Sequence, residues 1–152
     1  MLTDSRFCAE ACMRYWEDLA VGETHRYGRY ELTGEEIAAF ATRFSPPAVA
    51  GAGADAAPGY LLCCIGMRLL VDHALADLAS LGSPGVDHID WPNLAYVGDV
   101  VSLATDLLSA RVLESRPEMG LIKQAMVVEN QHGEPVARMW TNALIARREA
   151  AS

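Results

Sequence analysis

Positive charge is scarce in this chain. Its 152 residues carry 12 Lys+Arg against 20 Asp+Glu, a formal charge of -8, so a phosphate backbone would have to be held against the protein's own field. No basic stripe gathers the cations locally, and nucleic acid is not the expected partner. Long unbroken hydrophobic runs are missing as well. The most apolar stretch, Pro58 to Leu81, is interrupted by Arg68, Asp72, His73 and Asp77, which argues against a membrane span and for a buried helix. At the other extreme, Asp4, Arg6, Glu10 and Arg14 leave residues 1–14 without the apolar core of a typical secretory signal. The four cysteines do not form an obvious framework. Cys63 and Cys64 are neighbours and cannot reach ordinary disulfide geometry with each other, and no third ligand of suitable spacing follows Cys8 and Cys12. Free thiols in a reducing cytoplasm are expected, with no metal and no cofactor.

What is present reads as one domain, long enough to bury about two-thirds of its unfolded surface. Thr24 to Leu32 is rich in strand-favouring residues and interrupted by Gly28, which predicts a first strand with a bulge. Thr33-Gly34-Glu35-Glu36 has the spacing of a capping box. Ile37, Phe40, Ala41 and Phe44 then mark one helical face before Pro46-Pro47 stops it. A second helix is predicted from Pro58 to Leu81, apolar on nearly every side and therefore enclosed, with Gly82-Ser83-Pro84-Gly85 ending it. Four strands follow: Val86 to Trp91, Asp99 to Leu113, Leu121 to Asn130 and Pro135 to Arg147. Their alternation is blurred, which predicts cover on both sheet faces. Glu114 to Gly120 and Asn130-Gln131-His132-Gly133 are the predicted hairpin connections. One curved antiparallel sheet around one long helix satisfies this order.

Between the two helices, Ser45 to Gly59 contains a single ionisable side chain, Asp55. The segments around it carry a resemblance. Tyr15 to Gly22, Thr33 to Phe44, Gly59-Tyr60 with Met67-Arg68-Leu69-Leu70, Asp87-x-Ile89-x-Trp91 leading to Val97-Gly98-Asp99, and Asn130 to Glu134 resemble, in order, successive parts of the MaoC-like dehydratases, which include the (R)-specific enoyl-CoA hydratases. The resemblance implies an α+β hotdog fold, with residues 1–14 as an arm, 15–147 as the domain and 148–152 as a tail. It also implies an acyl-thioester ligand, carried on coenzyme A or a carrier protein, and pairing of protomers through their sheets, as a homodimer or with a dyad-bearing homologue.

Hydration of an enoyl thioester needs one group to take a proton from water and a proton delivered to the substrate. The family places an Asp directly after the Phe ending its first helix, and a His five residues further on. Here those positions are Ser45 and Ala50, and neither does acid-base work near neutral pH. The loop is also short, and Leu94-Ala95-Tyr96-Val97 stands where the family often has Pro-Val-Arg-Pro. The amides of Gly59 and Tyr60 remain as candidate carbonyl-binding groups at a helix start, with Trp91 as a candidate wall of an acyl pocket. Candidate replacements for the dyad are Asp55, otherwise a solvated loop residue, and His88 paired with Asp90 at i, i+2 spacing, otherwise a surface pair. The readings that follow are a thioester-binding protein without its own dyad, an active hydratase or thioesterase with relocated groups, and a non-binding dimeric scaffold.

Overall fold

The computed structural model describes residues 12–44 and 53–148. Strand β1 (Thr24–Glu31) leads to helix α1 (Gly34–Phe44) and then to helix α2 (Gly59–His73); strands β2 (Ser80–Asp90), β3 (Val100–Leu113), β4 (Arg116–Glu129) and β5 (Pro135–Ala146) complete the chain. The five strands form one antiparallel sheet in the order β1-β3-β4-β5-β2, and α2 packs on one of its faces. This is the expected α+β hotdog architecture.

The bulge foreseen in β1 falls between Tyr27 and Tyr30. Gly28 makes it, at φ 61°, and a Cβ there would lie 2.6 Å from Leu69 and 2.8 Å from the His73 ring, so both the turn and the approach of α2 require glycine. The cap of α1 is half of the predicted box. The Glu36 amide donates to Thr33 Oγ1 at 3.3 Å, but the Glu36 carboxylate accepts from the Tyr30 hydroxyl at 2.6 Å instead of returning to the Thr33 amide.

In its middle α2 lies directly on the sheet. Leu62, Ile65 and Leu69 are buried there, and a Cβ on Gly66 would be 2.8 Å from Val128 and 3.2 Å from Met139. Each fully buried aliphatic side chain in this waist contributes about 1.5–3 kcal/mol through removal from water. The outward face is not enclosed by the described chain: Tyr60, Met67 and Val71 are 65%, 48% and 42% exposed, and Cys64 beside them is exposed too. The expectation of a helix covered all round therefore fails within the protomer.

The second helix is also shorter than predicted. It ends at His73, a single 3-10 turn covers Leu75–Asp77, and Ser80 already begins β2. Gly82-Ser83-Pro84-Gly85 thus lies inside a strand. Gly82 and Gly85, at φ 121° and 146°, kink β2 through three shifts of register against β5, and Pro84 is tolerated because β2 is an edge strand with no donor required on its open side. The β3–β4 turn is tighter than predicted, Leu113 and Arg116 being its flanking strand ends. The Asn130–Gly133 turn forms as expected, with Gly133 at φ 77°.

A smaller core of Leu107, Ile122 and Ile145 fills the far end of the sheet and is roofed by Trp16, Leu19 and Leu78. Trp16 fits because Gly120 has no Cβ, which would stand 2.1 Å from the indole. Next to it the early and late parts of the chain are clasped. Arg147 Nε donates to Glu17 at 3.1 Å, the Arg148 amide donates to the same carboxylate at 3.0 Å, and the Arg148 guanidinium reaches Asp18.

Candidate functional site

Helix α2 begins without a side-chain cap. Pro58 occupies the N-cap, Leu62 N–H donates to its carbonyl at 3.3 Å, and the first turn holds no acid. The amides of Gly59, Tyr60 and Leu61 therefore have no partner within the helix, and the dipole concentrates partial positive charge there. Such a terminus favours an anion or the polarised oxygen of a carbonyl. The segment before it is pinned by main-chain bonds from Ala57 N–H to the Ala95 carbonyl at 2.8 Å and from Val97 N–H to the Asp55 carbonyl at 2.9 Å.

The three residues named from sequence as ligand contacts meet at this point. A Cβ on Gly59 would be 2.5 Å from the Trp91 ring, so only glycine lets the indole lie on the helix start. The Tyr60 ring meets Trp91 edge-on at a centroid distance of 5.2 Å, a favourable aromatic geometry. One turn further, burial pushes the Cys63 thiol up from its ordinary pKa, and the Trp91 indole hydrogen bond offsets only part of that rise. That direction works against a thiolate at Cys63.

Ser45 and Ala50 lie outside the described residues. Asp55 is exposed on the turn preceding Ala56. His88 and Asp90 do pair, at 3.3 Å, yet Asp90 is taken by two bonds from Arg138, at 2.7 and 2.8 Å. That guanidinium, more than His88, holds the Asp90 carboxyl below the usual carboxylate range. The Arg138 guanidinium lies over the Trp140 ring at 5.6 Å, and the His88 ring meets it tilted, at 5.2 Å. Met139 faces α2, so its neighbours Arg138 and Trp140, and with them His88, lie on the opposite sheet face. The structure leaves His88 away from Gly59.

A feature absent from the sequence reading occupies the other end of α2. A cavity of about 440 Å³ lies between the second half of the helix and the sheet, bounded by Met67, Leu70, Leu75, Leu107, Ile122 and Met139 among others. Its size falls within the usual range for small-molecule sites. Polar side chains also reach it, among them Tyr27, Thr105, Gln124 and Thr141, together with Arg14, Glu23 and His25. Burial raises the Tyr27 hydroxyl pKa, and the Thr105 hydroxyl beside it works against that rise. Gln124 and Thr141 stand opposite each other across β4 and β5. Strand alternation around Leu107 and Ile122 was the available signal, but sequence alone did not show where the helix would end.

These features were compared with known proteins. A MaoC-like dehydratase from Rhodospirillum rubrum superposes with a TM-score of 0.80 at 31% identity, over 89% of this chain and 98% of that one. The chain belongs to the MaoC-like dehydratase family. A Mycobacterium tuberculosis protein with a double hotdog fold matches at TM-score 0.70 and 18% identity, over 92% of this chain and 46% of that one. The truncated 3R-hydroxyacyl-ACP dehydratase complex HadBC from the same organism matches at 0.58 and 17%, over 82% and 96% respectively. No protein-family model and no curated protein sequence matches. No described helix of this MaoC-like chain is long and apolar enough to cross a membrane.

Proposed function

We propose that this MaoC-like chain binds an acyl thioester and lacks independent hydratase turnover. The observation that carries the reading is an uncapped α2 terminus, with its unpartnered amides, next to a loop whose acid and base positions are Ser45 and Ala50. The thioester carbonyl accepts from the Gly59 or Tyr60 amide under Trp91. The packed waist of α2 closes the sheet-facing route, so the acyl chain follows Tyr60, Cys64 and Met67 along the outer helix face. Met67 also borders the cavity, which receives the chain's distal part.

The same reading pairs the protomer along β2, with a second copy or with a homologue that keeps the dyad. An edge strand offers unpaired main-chain groups, and Leu81 and Val86 on it are 52% and 47% exposed. The HadBC complex is a two-component relative in fold.

The test combines binding and turnover. Acyl-CoAs are expected to raise the melting temperature in proportion to their occupancy of the native state, while a short enoyl-CoA remains unhydrated. Rapid hydration by the purified chain would overturn the claim of no turnover; failure of every acyl-CoA to bind would overturn the claim of a thioester site. Sedimentation as a monomer in the presence and absence of ligand would remove self-pairing.

A further inference from the structure

Polar side chains are costly to place on the inner face of a sheet unless they find partners. The cavity beside α2 nevertheless has Gln124 on its sheet wall, with Ile122 and Met126 two residues to either side and lining the same space. Leu107 faces Gln124 across one strand boundary and Thr141 faces it across the other. The Thr141 hydroxyl donates to the Gln124 main-chain carbonyl at 3.5 Å, and the half-buried Gln124 side-chain amide takes no protein partner among the described residues. That amide presents both a donor and an acceptor to the cavity. Thr105 and Tyr27 add hydroxyls to the same space.

The charge at this site selects against an ionised group. Arg14, Glu23 and His25 line the cavity, and Glu23 binds both of the others, Arg14 at 3.1 Å and His25 at 3.3 Å, while the polar contacts named above carry no charge. A carboxylate or ammonium entering the apolar interior would lose its hydration without an opposite free charge to replace it. A hydroxyl or keto oxygen would instead meet an amide able to donate or accept.

We infer that the cavity is built for an acyl chain bearing an uncharged oxygen substituent, a hydroxyl or ketone, at its distal end far from the thioester, with Gln124 as its specificity-determining contact. This deepens the thioester reading and rests on it. It distinguishes a functionalised chain from a plain saturated one.

The experiment compares ω-hydroxyacyl-CoAs, from hexanoyl to dodecanoyl, with the plain acyl-CoA of each length. Binding is followed by calorimetry and thermal shift. At the length that places the hydroxyl beside Gln124, the hydroxylated ligand is expected to bind about tenfold more tightly, the equivalent of one good net hydrogen bond. Gln124→Leu should abolish that preference while retaining affinity for the plain chain. Lys123→Ala, next in the same strand and outside the cavity lining, should retain the preference because the Gln124 amide persists. Circular dichroism melts verify that both variants fold, and Gln124→Ala supplies the same comparison if the leucine variant does not. Plain chains bound as well as hydroxylated ones at every length would overturn this inference and leave the thioester reading standing; so would a preference that survives loss of the Gln124 amide. Absence of binding by every thioester would overturn both.

Discussion

The two ends of α2 are built on opposite plans. At the start, Gly59 is pressed under Trp91 and the free amides are the principal polar resource. At the finish, the helix gives way to a 3-10 turn, and a cavity of about 440 Å³ opens against the sheet. Between them Gly66 brings helix and sheet into contact. On the reading proposed above, carbonyl recognition and chain recognition fall to separate parts of one helix, so each could change while the other is kept.

Restoring chemistry at the starting end gives the largest expected contrast. Ser45→Asp combined with Ala50→His should raise enoyl-CoA hydration by about 10²–10⁴ over the parent, the usual reach of positioned acid-base groups, as read from the loss of enoyl absorbance. No gain would break the assignment of this end to carbonyl activation. Next comes packing. Leu62→Ala, in the closed waist, should cost about 2–5 kcal/mol in urea unfolding, whereas Leu78→Ala beside the open cavity should cost clearly less because its surroundings are already incomplete. Equal losses would erase the distinction between the packed and hollow regions. Gly59→Ala should cost about 1–3 kcal/mol through overpacking against Trp91. Most of that loss should disappear in a Trp91→Ala background, and a double-mutant cycle measures the coupling.

The smallest effect is on the sheet face away from both ends. Asp90 titrates below its ordinary range chiefly because of Arg138, so Arg138→Ala should move it upward in an NMR titration. The sign of the stability effect follows. A carboxyl whose folded pKa is depressed supports the folded state above its unfolded pKa, and that support fades as pH falls through the folded value. Acidification should therefore lower the wild-type melting temperature more than that of Arg138→Ala. The change stays small because the pair is solvent-accessible.

Local signals in the sequence were enough for much of this fold. Gly28 marked its bulge, Thr33 its helix start and Gly133 its hairpin, because each depends on the conformational limits of one residue and its neighbours. Gly82 to Gly85 misled for the same reason. Read locally it terminates a helix, but edge pairing with β5 absorbs two glycines and a proline into a kinked strand. Gly59, Tyr60 and Trp91, named together as candidate contacts, touch one another, although the contact that makes Gly59 necessary is tertiary. His88 and Asp90 were read as a pair and are one, but Arg138 arrives from 48 residues away, beyond any local spacing rule. Gln124 passed unnoticed because a glutamine in a blurred strand looks like an ordinary surface residue until the cavity beside it is seen.

The clasp of Glu17 and Asp18 with Arg147 and Arg148 has a consequence for engineering. Since positions 130 apart in sequence meet at one corner, a short linker from Arg148 to Met13, in a variant that omits residues 1–12 and 149–152, would close the backbone with little added entropy loss. New termini could then be opened at an exposed turn such as Gln131 to Gly133, converting the chain into a circular permutant with the same sheet order. Attaching a bulky fusion next to Arg148, by contrast, would load the Trp16 roof as directly as a fusion placed before Arg14.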